Sequence, residues 1–261
     1  MAVNRILFVA MLAFHLATNV WDNFQDFLNA KHETFKQGVN NVVGREAVTK
    51  QQVGMVLAVL VGIATILGVY LWLQVGGWLW PLLAFISYFV GFFYAGGPKP
   101  ISRTPLGELF SGVTMGYVIL LMVVYLNIGV MTWHWAWQTL LVSGMGVFSI
   151  ANIMLANNIG DYIEDLAEER HTLVYYLGQS KALIVYLSLY IAGYLTLITT
   201  VVLGILPWTV LLALLAWPVI IKSFKFFWHD RTKRGSFLLT IKNTVLIMVL
   251  FIVGMIVGLI V

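Results

Sequence analysis

The sequence predicts an all-α integral membrane protein, a bundle of about eight transmembrane helices. Of its 261 residues, 61% are hydrophobic and only 10% are charged, whereas soluble domains average about 25% charged residues. The mean hydropathy is +0.91. A chain with so little polar surface is expected to lie in a lipid bilayer. The absence of cysteine excludes disulfides, a thiolate nucleophile and cysteine-ligated metals.

Eight apolar stretches have the length of about 20 residues that is needed to cross about 30 Å of hydrocarbon. They cover roughly residues 5–24, 52–73, 78–96, 109–128, 135–157, 181–204, 206–222 and 237–260. Only a short turn at 204–208 separates the sixth from the seventh, so that boundary is the weakest. The first stretch lacks an A-x-A-like cleavage site, which predicts a retained helix and not a signal peptide. We expect a single transmembrane domain over residues 1–261.

The charges are unevenly distributed along the chain. Apart from Arg5 and Lys242, the cations lie in or beside the first, third, fifth and seventh connections, as do all eleven carboxylates. The second, fourth and sixth connections carry no charge. Because cytoplasmic loops are rich in Lys and Arg, the odd connections are predicted to be cytoplasmic and both termini to lie outside. The pattern indicates a multi-pass protein of the cell membrane with its chemistry at the cytoplasmic face.

Two polar stretches share the pattern N-x-x-D-x-x-x-D. The first Asp motif is Asn19, Asp22 and Asp26, and the second Asp motif is Asn158, Asp161 and Asp165. A constant offset of 139 residues relates them, and it also relates Lys31 to Arg170 and His32 to His171. Spacings of three and four place the side chains of one copy on one face of a helix. Two copies in the same register indicate two acidic clusters that face each other.

The chemistry of these residues predicts a magnesium site. A carboxylate in a transmembrane segment normally faces a partner, a cavity or an ion, and two carboxylates four residues apart repel each other unless a positive charge lies between them. Mg²⁺ prefers oxygen ligands and is typically held by one or two carboxylates together with phosphate oxygens. The four aspartates are therefore the candidate catalytic residues and, with Asn19 and Asn158, the candidate metal ligands. Lys31 and Arg170 are candidates to bind the remaining oxygens of a pyrophosphate.

Each of these residues also has a purely structural interpretation. Asn and Asp can cap helix ends, and the two motif asparagines can form interhelical hydrogen bonds worth only about 0.6 kcal/mol each. Lys31, Arg170 and Lys99 can simply follow the positive-inside rule. We expect three further acids near the second motif to be solvated, with at most one contacting the metal: Glu164, Glu168 and Glu169.

With these motifs on the helices of an all-α membrane protein, the chain resembles the UbiA superfamily of intramembrane prenyltransferases. Residues 157–165, which continue into Arg170 and His171, look like the second motif of the menaquinone branch. Tyr-Ala-Gly-Gly-Pro-Lys-Pro at 94–100, followed by Leu-Gly-Glu-Leu at 106–109, looks like the third connection of that branch. Within the superfamily the sequence most resembles the 1,4-dihydroxy-2-naphthoate polyprenyltransferases, over nearly the whole chain from Leu7 to the last helix.

The resemblance implies a reaction and its partners. Mg²⁺ held by the Asp motifs would bind a polyprenyl diphosphate, and the prenyl group would pass to an aromatic acceptor, 1,4-dihydroxy-2-naphthoate, with loss of the ring carboxylate. Lys99 is a further candidate diphosphate contact. Relatives often carry an arginine before a glycine in the first connection, where this chain has Asn41 and Glu46, and Arg45 is the candidate substitute. The lipid bilayer is the expected environment, and no nucleic acid is expected as a partner.

Two other functions compete with prenyl transfer. Relatives usually have nine helices, one of them before the helix of the first motif, which here is the first helix. The chain is therefore expected to lack that helix, and a truncated or non-catalytic paralogue is one alternative. A transporter built from repeated halves is the other. The acids fall on one predicted side, and an even number of connections separates the copies, so such halves would be parallel and not inverted.

Overall fold

The computed structural model describes residues 2–37 and 41–260, which form helices and contain no strand. The long helices within these residues are α1 Ala2–Asn29, α2 Lys50–Val75, α3 Leu79–Ala95, α4 Gly107–Ile128, α5 Trp133–Gly160, α6 Leu173–Val202, α7 Trp208–His229 and α8 Lys233–Ile260. Of the helices in the described ranges, 7 are long and apolar enough to cross a membrane, and α3 is a shorter apolar helix. The prediction of an all-α membrane bundle is confirmed.

The sequence sets the helix ends in ordinary ways. Thr49 forms a capping box with Gln52 at the start of α2, which satisfies backbone N–H groups that have no partner inside the helix. Thr132 accepts a hydrogen bond from the Trp135 N–H at the start of α5. Gly204 has a φ of 66° in the turn after α6, a backbone conformation that favours glycine. The weakest predicted boundary is therefore a real break between two helices.

Several segments depart from regular α-helix. Four short helices lie in the connections: Glu33–Lys36, Val42–Arg45, Ile101–Arg103 and Tyr162–Ala167. Helix α4 contains a π-helical segment, Val113–Val118, and α7 begins as a 3₁₀-helix over Trp208–Ala216. In α6, Gly178 has a φ of 73° and interrupts the helix near its start. Of these irregular segments, Tyr162–Ala167 contains Asp165 of the second Asp motif, and Gly178 lies in the helix that follows.

By its contacts the chain divides into two compact units. Unit 1 comprises Met1–Thr104 and Met122–Met131, and unit 2 comprises Pro105–Leu121 and Thr132–Val261. Each unit contains one Asp motif. This division describes contacts and does not test the expectation of a single domain over residues 1–261, which stays a prediction.

In unit 1, α1 packs against α2 and α3. Phe14 stacks on Tyr88, with ring centroids 4.4 Å apart. The indole nitrogen of Trp21 donates a hydrogen bond to the carbonyl oxygen of Phe92 at 2.8 Å. These contacts hold the end of α1 that carries the first Asp motif against the end of α3.

In unit 2, α5 packs against α4, α6 and α8. The backbones of α4 and α5 approach so closely that a Cβ on Gly112 would lie 2.6 Å from the carbonyl oxygen of Val147. Small residues allow such close approach between membrane helices. The buried core of this unit includes Tyr186, whose hydroxyl lies 2.9 Å from the Thr240 hydroxyl. Helix α5, whose end carries the second motif, is thus packed against three neighbouring helices.

Candidate active site

The first Asp motif lies on one continuous helix in unit 1. Helix α1 runs to Asn29, five residues beyond the predicted end at residue 24, so the motif lies inside the helix and not at its end. Its spacing places Asn19, Asp22 and Asp26 on one face of α1. Asn19 is exposed, and Asp22 and Asp26 are half-buried. The side chains of this motif are therefore not enclosed by the rest of the protein.

Hydrogen bonds tie the first connection to the helix of this motif. The side-chain oxygen of Asn23 accepts a hydrogen bond from the Val43 N–H at 3.1 Å. Asn41 is buried, and its side-chain oxygen accepts from the Gly44 N–H at 3.0 Å, which caps the short helix Val42–Arg45. Asn41 therefore has a structural role in this loop.

The candidate diphosphate-binding cations of unit 1 lie at the surface. Lys31, Arg45 and Lys99 are all exposed. The Nε atom of Arg45 lies 2.9 Å from Oε1 of Glu46. Exposed cations of this kind keep long, flexible side chains and make weak ion pairs.

We expected the spacing of each motif to place it on one face of a single helix. The second Asp motif does not lie on one continuous helix, so this expectation is wrong for this copy. Helix α5 ends at Gly160, and Asp161 (φ −92°, ψ 7°) joins it to the short helix Tyr162–Ala167. The Asp161 N–H donates to the Asn157 carbonyl at 2.9 Å, and the Asp161 carbonyl accepts from the Asp165 N–H at 2.8 Å. Glycine and asparagine are poor helix formers, which accounts for a break at this point.

All three side chains of the second motif are buried, and Arg170 is fixed beside them. The Arg170 Nε lies 3.3 Å from Oδ1 of Asp165, with side chains only 13% and 5% exposed. The backbone N–H of Arg170 donates a hydrogen bond to the backbone carbonyl of Asp165 at 2.8 Å. Because a guanidinium has five N–H donors, this pairing leaves Arg170 capable of also binding a phosphate oxygen.

A further acid in this connection is buried, contrary to expectation. Glu164 and Glu169 are exposed as predicted, but Glu168 is only 2% exposed. The break at Asp161 starts a new helical turn, and the residues at 161, 165 and 168, spaced by four and three, share its inward face. Glu168 is therefore the one of these three acids that is not solvated as expected.

The structure also brings Glu108 to the second motif, a residue that we did not select from the sequence. Its Oε1 accepts a hydrogen bond from Nδ2 of Asn158 at 2.8 Å, and the residue is 5% exposed. Its Oε2 is buried and has no hydrogen-bond partner among the described residues. The predicted span began at 109 and left Glu108 in a loop, whereas α4 begins at Gly107. An acid at the first turn of an apolar span is the signal that could have identified it.

The donor set of the second motif fits a hard divalent cation bound together with phosphate. Within residues 2–37 and 41–260, no three His, Asp or Glu side chains converge into a metal site by themselves. Mg²⁺ does not require such a cluster, because it is typically held by one or two carboxylates and completes its shell with water and phosphate oxygens. The motif offers oxygen donors only, and Oε2 of Glu108 is a buried oxygen beside it with no partner in the described part of the chain.

Comparison with known proteins gives a matching family, one curated relative and two similar solved structures. Residues 3–245 match the model of the UbiA prenyltransferase family. Over 211 residues the chain is 30% identical to 1,4-dihydroxy-2-naphthoate octaprenyltransferase of Bacillus subtilis (strain 168), an alignment that covers 79% of this chain and 66% of that protein. The chain thus spans about two thirds of the length of this relative.

Two solved structures share the fold. A UbiA homologue from Aeropyrum pernix K1, solved in its apo form, superposes with a TM-score of 0.77 at 19% identity, covering 98% of this chain and 90% of that one. A digeranylgeranylglyceryl phosphate synthase superposes with a TM-score of 0.64 at 14% identity, covering 98% of this chain and 85% of that one. At these identities the likeness establishes the fold alone.

Proposed function

This chain belongs to the UbiA prenyltransferase family, and we propose that it is an intramembrane enzyme that transfers a polyprenyl group from its diphosphate to 1,4-dihydroxy-2-naphthoate. The observation that carries the proposal is the second Asp motif, with buried carboxylates, a paired arginine and oxygen-only donors at the end of a membrane helix. The choice of acceptor is supported by the similarity to the Bacillus subtilis octaprenyltransferase and by the sequence around 94–100 and 157–165.

The carboxylates of each motif would bind diphosphate oxygens through Mg²⁺. Bound there, Mg²⁺ would neutralise the charge that develops on the leaving pyrophosphate. Asp22 and Asp26 would act from α1, and Asp161 and Asp165 from the end of α5. Arg170, held by Asp165, would donate to a phosphate oxygen from a fixed position, whereas Lys31 would have to adjust its side chain to do the same.

The bond changes of the proposed reaction balance without any redox step. The C1–O bond of the prenyl diphosphate breaks, and its electron pair leaves with the pyrophosphate. The ring carbon that bears the carboxylate forms a bond to C1. That carboxylate then leaves as CO₂, and its bonding pair returns to the ring. The apolar surfaces of the membrane helices are suited to the isoprenoid tail, and the charge distribution favours a cytoplasmic site with both termini outside.

An assay on the purified protein tests this proposal. Polyprenyl diphosphate would be offered with 1,4-dihydroxy-2-naphthoate labelled at its carboxyl carbon, or with 4-hydroxybenzoate, each with Mg²⁺ and with EDTA. We expect prenylated naphthoquinol with Mg²⁺ alone, and one labelled CO₂ for each product molecule. Product only from the benzoate would overturn the acceptor, and EDTA-resistant product would overturn the metal. No product with either acceptor, from folded protein, would indicate a non-catalytic relative.

A further inference from the structure

We infer that Glu108 completes the second Asp motif: it orients the amide of Asn158 and supplies one more oxygen to the bound divalent cation. The inference rests on the proposed function, because it concerns the same site. It adds a residue from a different helix, α4, to a motif that the sequence places entirely on α5 and the following connection.

The hydrogen bond between these two residues fixes which way the amide of Asn158 points. A carboxylate only accepts hydrogen bonds, so the Asn158 group that lies 2.8 Å from Glu108 must be the NH₂ group. The amide oxygen of Asn158 is then not the atom that contacts Glu108. Only that oxygen can ligate a cation, so Glu108 holds Asn158 in the one orientation in which its oxygen is available as a ligand.

The second carboxylate oxygen of Glu108 is buried, and no described residue offers it a hydrogen bond. Burying a charged oxygen without a partner is costly, and such groups are normally paired with a cation or lose their charge. A hydrogen bond that merely joins two membrane helices requires only Oε1. It therefore does not account for the burial of Oε2.

The backbone holds Glu108 in this position. Glu108 lies in the first turn of α4, where the helix dipole favours a negative charge. One turn further, Gly112 packs directly against the backbone of α5. The π-helical segment Val113–Val118 follows, and π-helical turns are rare and frequent at functional sites. This close approach fixes the first turn of α4 beside the end of α5.

The test is cation binding by the full-length protein in detergent, with activity as a second measurement. Mn²⁺ would be titrated in the presence of inorganic pyrophosphate, and free Mn²⁺ followed by its EPR signal. The variants are Glu108→Gln and Glu108→Ala, and the matched control is Glu164→Gln, an exposed acid of the same region. We expect Glu108→Gln to weaken Mn²⁺ binding by about 10-fold or more. Its melting temperature in EDTA should stay at the wild-type value, and the control should bind Mn²⁺ normally.

The glutamine variant decides between a cation ligand and a neutral acid. Glutamine has the shape of a protonated glutamate and can still accept from Asn158, but it carries no charge. Wild-type Mn²⁺ affinity in Glu108→Gln would therefore overturn the inference, even if Glu108→Ala fails to fold.

The outcomes for the inference and for the proposed function can be distinguished. If the wild-type protein forms product and Glu108→Gln binds Mn²⁺ normally, the inference alone is refuted. Wild-type protein that binds Mn²⁺ but forms no product would refute the proposed function alone, and a wild type without Mn²⁺ binding would refute both.

Discussion

The two Asp motifs have the same sequence pattern and different structures. The first lies on one uninterrupted helix and is exposed or half-buried. The second is split between the end of α5 and a short helix, and it is buried beside Glu108 and Arg170. The spacing of residues therefore fixes which side chains are neighbours along the chain, but the break and the neighbouring helices decide how polar and how rigid the cluster is.

This difference has an energetic consequence. Half-exposed carboxylates keep part of their hydration, so Asp22 and Asp26 can change partners at little cost. Buried carboxylates depend on the groups that replace water, and for the second motif these include the guanidinium of Arg170 and the amide of Asn157, whose Nδ2 lies 3.1 Å from Oδ2 of Asp161. The second motif is thus the preorganised cluster, and the first is the adaptable one.

The largest expected effect comes from removing one carboxylate charge in either motif. Asp22→Asn and Asp161→Asn should each lower Mg²⁺-dependent turnover by about 100-fold or more, because charge stabilisation of the leaving group is lost. Both variants should fold, since asparagine keeps the shape and a hydrogen-bonding oxygen. Turnover would be measured in the prenyl-transfer assay, with Glu164→Gln as control. Near-normal activity in either variant would contradict the assignment of that motif to the metal.

Hydropathy and charge were sufficient to predict the helices, because a membrane span is a local property of about 20 residues. The break at Asp161 could also have been predicted, because Gly160 is a poor helix former, whereas Trp21 occupies the corresponding position of the first motif. The contact of Glu108 with Asn158 could not be predicted. It joins residues 50 positions apart and depends on which helices are neighbours, which no local pattern specifies.

A smaller effect, on stability, should distinguish Arg170 beside the second motif from Lys31 beyond the first. Arg170→Ala leaves the buried Asp165 without its guanidinium, and breaking such a pair typically costs about 3 kcal/mol. Lys31 is exposed, so Lys31→Ala should change stability by less than about 1 kcal/mol. The free energy of unfolding of both variants would be compared with wild type in mixed micelles. Equal losses of stability would contradict the preorganised character of the second motif.

The smallest expected effect concerns the single hydrogen bonds that hold the segments beside each motif. Asn23 accepts from the Val43 N–H next to the first motif, and the Gln179 side chain donates to the Ile159 carbonyl next to the second at 2.8 Å. Asn23→Ala and Gln179→Ala should each remove about 1 kcal/mol of local stability.

Hydrogen exchange would resolve the two variants. Asn23→Ala should speed exchange of the Val43 amide by about fivefold, because the free energy of local opening falls by about 1 kcal/mol. Gln179→Ala should leave the Val43 amide unchanged and so serves as the matched control. If the first connection is the adaptable part, Asn23→Ala should also raise KM for the prenyl diphosphate a few-fold with kcat unchanged. A loss of kcat in this variant would mean that the first motif, too, depends on a fixed loop, and the contrast between the motifs would then be one of burial and not of rigidity.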